Sequence, residues 1–230
     1  MKLNLNFAPV ALILVLLFAA CANEDADENA IQERIYTAYE MTYDENEDIT
    51  RVTATFAFGN IGGTRLKLSD GAEIKFNGAD LSFDNTRGLY RLEVPGAVEK
   101  GTFFYLDLNG KSYTNSILMD PVQAPTGLNT SIDRAAPWVV KWAGNPVTTT
   151  NGSVVATLVP EDITQTLIVT AGAQEADSVA FTAENLTEIT PQQGSLTLER
   201  INTGTLSQAT AAGGTIGSRY LSKSLDVVLN

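Results

Sequence analysis

From residue 35 onward, apolar and polar positions alternate with a period of two over most of the chain. Ile35, Tyr39, Met41 and Tyr43 share one parity, and Arg34, Tyr36, Glu40 and Thr42 the other, which sets them on opposite faces of a first strand. A helix using Ile31, Ile35 and Tyr39 is the competing pattern. The strand is preferred because β-branched and aromatic residues continue downstream without a helical stop signal. Residues 51–58 alternate cleanly, and a glycine turn at 59–63 leads into 64–68. A short strand at 73–76 ends on Asn77 and Gly78, a tight hairpin signal into Leu81 and Phe83. Strands at 89–94 and 102–108 follow, the latter expected to pair with 111–118 through a two-residue hairpin at Asn109 and Gly110. Short strands with turns every 8–12 residues describe a β-sandwich.

Residues 120–127 hold two prolines and a glycine and are the best linker candidate. Beyond them, strands are expected at 128–132, 138–142, 153–159, 165–170, 178–182, 195–201 and 220–229, with no long helix anywhere. The expectation is an all-β chain of two tandem sandwiches, residues 31–119 and 128–230, without an obvious sequence repeat between them. Trp142, following Val139, Val140 and Lys141, resembles the core tryptophan of the immunoglobulin-like modules common on bacterial surfaces. No disulfide stands behind it, a departure from antibody-type domains.

Residues 1–20 are of a different kind. Lys2 supplies a weakly basic start, and an apolar run covers residues 7–20. As a helix the run would span about 21 Å, short of the ~30 Å hydrocarbon core, so it reads as a signal-peptide core. Leu17, Phe18, Ala19, Ala20 and Cys21 resemble the lipobox of bacterial lipoproteins, in which the cysteine thiol is acylated and cleavage falls just before it. Phe18 stands where leucine is usual. A cut after Ala22 is the alternative and would release a soluble protein without cysteine. With Ala22 second in the mature chain, the resemblance implies an outer-membrane destination. Residues 21–30 are dense in carboxylates and read as a lipidated, disordered acidic tether. The tether is similar to the export signal of surface lipoproteins in the Bacteroides group, which leaves cell surface and periplasmic face both open.

Composition narrows the chemistry. The 230 residues include no histidine and one cysteine, Cys21, which excludes histidine-based nucleophilic or acid-base catalysis, His- or Cys-rich metal sites and internal disulfides. The net charge of −12 argues against nucleic-acid binding. Ten of the 27 acids lie within residues 22–50, beside a single base. No cofactor is expected.

Asp44, Asn46 and Asp48 offer oxygens at alternate positions, as calcium loops do. The comparison fails at Ile49 and Thr55, where an EF-hand has glycine and a bidentate glutamate, and a solvated hairpin turn is the preferred reading. Trp138 and Trp142, four apart on one strand, project to the same side and are a candidate sugar-stacking platform. Glu161 with Asp162, Glu175 with Asp177, and Glu184 with Glu188 are acidic neighbours that a glycosidase mechanism would need converged on a groove. All sit in polar loops. Ser222 and Lys223 are adjacent, so a strand points them to opposite faces, against a nucleophile pair. Residues 211–217 are glycine-rich but lack the ending of a phosphate-binding loop and read as a flexible loop. Asp177, Ser178 and Val179 are similar to a short O-glycosylation motif of Bacteroides-type secreted proteins.

The expected role is a lipid-anchored, non-catalytic binding or scaffolding module of the cell envelope. Its partners would be the membrane, through the anchor, and other envelope proteins or glycans. A glycan-capturing lipoprotein of a saccharide uptake system and a carboxylate-dependent hydrolase are the alternatives.

Overall fold

A computed structural model describes residues 24–26, 32–150 and 152–230. The signal segment, Cys21 and the tether residues 22–23 and 27–30 lie outside the described residues. The strands are β1 (Glu24–Ala26), β2 (Ile35–Asp44), β3 (Ile49–Phe58), β4 (Arg65–Leu68), β5 (Glu73–Phe76), β6 (Ala79–Asp80), β7 (Ser82–Asp84), β8 (Leu89–Pro95), β9 (Lys100–Leu106) and β10 (Ser112–Leu118) in the first half. The second half contributes β11 (Ser131–Ile132), β12 (Trp138–Lys141), β13 (Ser153–Pro160), β14 (Leu167–Ala171), β15 (Ser178–Phe181), β16 (Gln192–Thr205), β17 (Gly214–Leu221) and β18 (Leu225–Leu229). A five-residue helix, α1 (Ala183–Thr187), and two 3-10 turns complete the described chain. The all-β class read from the alternation is the fold observed.

β2 follows the predicted parity without exception: Ile35, Tyr39, Met41 and Tyr43 are buried, and Tyr36, Glu40 and Thr42 are not. In the first half the β2–β3–β8 face packs on the sheet β10-β9-β5-β6. Between them lies an aromatic core, with Tyr39 stacked on Phe103 at 4.7 Å and Phe56 beside Tyr105 at 4.8 Å. In the second half the β13–β16 face packs on the β12–β15 pair. Leu158, Leu198, Val140 and Phe181 fill that core.

The halves are joined by more than the linker. β17, from the second half, pairs in parallel with β2 over eight residues, Gly214 beside Thr37 through Leu221 beside Asp44. The main sheet therefore runs β1-β4-β3-β2-β17-β16-β13-β14 without a break, and buried residues of both halves form one continuous cluster. The linker is itself partly built in: Val122 is buried and Gln123 bridges Ala143.

Four local expectations are corrected. Residues 24–26, read as disordered tether, form β1 and pair in parallel with β4, because an edge strand offers unpaired backbone groups to any nearby extended segment. The two-residue hairpin stands at Asn77 and Gly78, both at positive φ (49° and 85°), as its turn type requires. At Asn109 and Gly110 the loop is longer, closed by Asp107 N–H to Lys111 O at 3.0 Å. There the Asp107 carboxylate accepts from the N–H groups of both Asn109 and Lys111, at 2.9 Å each. The glycine-rich 211–217 segment is not a free loop, since its second half belongs to β17. Gly214 is there because a Cβ would collide with Thr37 O on β2. Finally, the single strand expected at 220–229 is broken at 222–224, where three residues oppose Thr197 and Leu198 on β16. This is a β-bulge, closed by Leu198 N–H donating to Ser222 Oγ at 2.9 Å.

Candidate binding surfaces

The two tryptophans are core residues. β12 buries Trp138 and Val140 and exposes Val139 and Lys141. Trp138 stacks on Phe181 at 5.5 Å and donates its indole N–H to Asn129 O, while Trp142 donates to Asn145 O. The rings do share one side of the strand, but that side is the interior, so neither offers an open face to a sugar. The stacking-platform reading is corrected accordingly.

The oxygens of Asp44, Asn46 and Asp48 close the β2–β3 hairpin instead of converging. Asp44 Oδ1 accepts from Asn46 N–H at 2.9 Å, Asn46 Oδ1 accepts from Ser224 N–H at 2.9 Å, and Asp48 Oδ1 accepts from the Tyr43 hydroxyl at 2.9 Å. That last bond, to a carboxylate, pushes the Tyr43 phenol up to about 12. Asp48 adopts positive φ (55°) to make the turn. Among the described residues, no group of three or more histidine, cysteine, aspartate or glutamate side chains is arranged to hold a metal ion.

The acidic neighbours of the second half serve local structure. Asp162 caps a 3-10 turn by accepting from Thr164 N–H. Asp177 pairs with Lys141 at 2.7 Å, and this hydrogen-bonded ammonium holds its carboxyl below the usual range. Glu175 lies in the β14–β15 loop, and Glu184 and Glu188 are exposed at the two ends of α1. Ser178 is half-buried on β15, and Ser222 is fully engaged in the bulge.

Two features escaped the pattern reading. The first is a cleft of about 640 Å³ where the first half, the linker and the second half meet, within the size range of small-molecule sites. Glu99, Asp120, Asn145, Asn202, Thr148 and Thr150 give it a polar wall, and Leu118, Met119, Pro121 and Pro146 an apolar one. Its Asp120 and Asn145 are tied to a buried cation. Arg200 is 2% exposed, lies 3.4 Å from Asp120, donates to Asn145 O, and sits 6.0 Å from the Trp142 ring. Burial pushes its guanidinium pKa down and the Asp120 charge opposes that shift. A sequence signal existed: Arg200 shares parity with buried Leu196 and Leu198, so alternation alone puts its charge inside.

The second feature is the contrast between sheet edges. On β10, the loop at Ser207 and Gln208 caps the strand: Gln208 Oε1 accepts from Thr114 N–H, and Asn115 bonds to Gln208 through both side-chain atoms. β14 pairs with β13 alone among the described residues. It exposes Ile168 at 66%, and the 3-10 turn leading into it exposes Ile163 at 72%. Uncapped strand edges with apolar neighbours template further pairing.

No family model matches the chain, and no curated protein does. Among solved structures it is similar to the FN1–FN3 domains of chicken CNTN1, at 13% identity and a TM-score of 0.29, over 83% of this chain and 65% of that one. It is also similar to a tetra-tandem repeat from the extending region of a large adhesion protein, at 12% identity and a TM-score of 0.30, over 84% and 49%. The chain thus spans less than two thirds of either. The fold assignment rests on the sheets described above.

Proposed function

We propose that the protein is a lipid-anchored component of the bacterial cell envelope, directed to the outer membrane, whose all-β body binds or scaffolds other molecules and performs no catalysis. The address rests on the sequence at Leu17 to Cys21. The binding role rests on the β14 edge: a strand paired on one side only among the described residues, with Ile168 exposed on it and Ile163 exposed in the turn before it, is a surface for backbone pairing with an extended partner segment. Two measurements test this. Metabolic labelling with palmitate should mark the wild-type protein and vanish in Cys21→Ala; continued labelling refutes acylation there. Crosslinking in intact envelopes should trap a discrete partner that Ile168→Lys and Val169→Pro both lose, and unchanged trapping in both variants would sink the edge as the docking surface.

The cleft beside Arg200 favours a second reading, capture of a small hydroxyl- or ammonium-bearing ligand such as a sugar. Its walls are rich in acceptors, from Glu99, Asp120 and two asparagines. Calorimetric titration with a monosaccharide panel tests it. Binding lost in Asn202→Ala supports this reading, and silence across the panel removes it.

A further inference from the structure

The direction of β1 determines which end of the body lies nearest the anchor. β1 runs parallel to β4, with Glu24 beside Leu66, Asp25 beside Lys67 and Ala26 beside Leu68. Its first residue therefore lies toward the start of β4, the end fed by the turn from β3. Three residues lead from Cys21 to Glu24, and a fully extended chain of that length reaches at most about 11 Å. A lipid carried on Cys21 must enter its bilayer close to the β3–β4 turn.

That turn is built for such a place. It exposes Ile61 at 53%, flanked by Asn60 and Gly62, in a loop otherwise made of small residues. Its base is rigid: Phe58 N–H donates to Thr64 O at 3.0 Å, Gly59 N–H to Arg34 O at 2.7 Å, and the Arg34 guanidinium lies 4.4 Å from the Phe58 ring centroid. Arg34 lies over the Phe58 ring at its base, and Arg65 opens β4 directly after it, so basic side chains flank the turn on both sides in the chain. The strongly acidic turn of Asp44, Glu45, Glu47 and Asp48 lies at the opposite end of β2 and β3, about 30 Å away at ~3.4 Å per residue over ten residues. An anionic headgroup layer would repel that end and accept the Ile61 end. β14 lies seven strands across the sheet from β1, about 33 Å at ~4.8 Å per strand.

Resting on acylation at Cys21, we infer that the β3–β4 turn, with Ile61 at its tip, is the membrane-contacting surface of the anchored protein, and that the β14 edge stands clear of the bilayer. The occupant of the exposed Ile61 patch is the lipid surface that holds the chain's own anchor. A short tether and a bilayer contact hold the body in one orientation, whereas a long free tether would let it tumble.

The test uses the full-length acylated protein in vesicles of phosphatidylethanolamine and phosphatidylglycerol. Acylation consumes the only native thiol, so Ile61→Cys and Ile168→Cys each accept a single environment-sensitive fluorophore. Quenching by bromine-bearing acyl chains is expected to be several-fold stronger at position 61 than at 168. Equal quenching at the two positions, with Cys21 acylated in the same samples, overturns the orientation and leaves the anchor standing. A Cys21 thiol that reacts with the dye in the unsubstituted protein overturns the anchor and the orientation together.

Discussion

Tyr43 and Tyr220 lie side by side on adjacent parallel strands, ring centroids 5.1 Å apart, although one belongs to the second strand of the first half and the other to the penultimate strand of the second. The contact is part of an eight-residue parallel seam, so most of the sequence must be threaded before it closes. The two halves cannot lose this seam without exposing the buried faces of β2 and β17.

Cooperative unfolding follows. Halves linked only by a tether would melt separately, whereas a shared sheet and a continuous core make one transition. Calorimetry should give a single endotherm with van't Hoff and calorimetric enthalpies in agreement. Two resolved endotherms would show that the seam is not energetically coupled.

The glycine at the seam offers a sharper test. An alanine Cβ at Gly214 meets the Thr37 carbonyl and the Leu206 side chain, while one at Gly204 meets nothing within 4 Å. Gly214→Ala should destabilise by about 1–3 kcal/mol, the usual cost of overpacking. Gly204→Ala should be near neutral. Melting temperatures of the two variants read the difference, at roughly 2–4 °C per kcal/mol for a chain of this size.

Arg200 and Asp120 form a junction in which removing one partner strands a buried charge. Asp120→Ala should cost roughly 3–5 kcal/mol, because the guanidinium stays buried without its counterion. Arg200→Met keeps most of the volume and discards the charge, and should cost far less. Urea midpoints with unchanged slopes would establish the order, and equal losses would mean that packing, not charge, dominates there.

The response to pH should be flat across neutrality and steep in alkali. With no histidine, no side chain of the body has an ordinary pKa between about 5 and 8. The Tyr43 phenol is raised to about 12 by its bond to Asp48, and burial moves Tyr39 and Tyr105 up as well. A raised folded-state value means stability that is complete below about 10, the unfolded tyrosine value, and is lost as pH climbs through 12. Denaturation midpoints should be constant from pH 6 to 9 and fall above 10, as the absorbance of tyrosinate rises. A transition centred near pH 6.5 would contradict this account.

The strands themselves were legible because their cause is local. Period-two alternation puts Ile35, Tyr39, Met41 and Tyr43 on one face whatever they later meet, and the structure buries all four. The tryptophans show the limit of that logic. Parity established that Trp138 and Trp142 face the same way, yet whether that way was core or solvent depended on the β13–β16 face packing over the β12–β15 pair, which no local pattern encodes. The Asp44–Asp48 turn was likewise visible as an acidic loop, while its bonds to Ser224 and Lys223 depended on the far end of the chain. Arg200 is the exception in the other direction, since its inward parity was readable and its partners Asp120 and Asn145 were not.

Taken by itself, the sequence determined the class of structure and its faces: an all-β body, with an acidic stretch before and within its first hairpin. Tertiary structure alone decided that the two halves share one sheet, that β10 is capped while β14 is open, and that a cleft forms beside a buried arginine. The reason is the range of the forces. Side-chain alternation acts over neighbouring residues, whereas strand pairing satisfies backbone groups with whichever edge the folded chain brings within reach, and here that edge came from the opposite end of the protein.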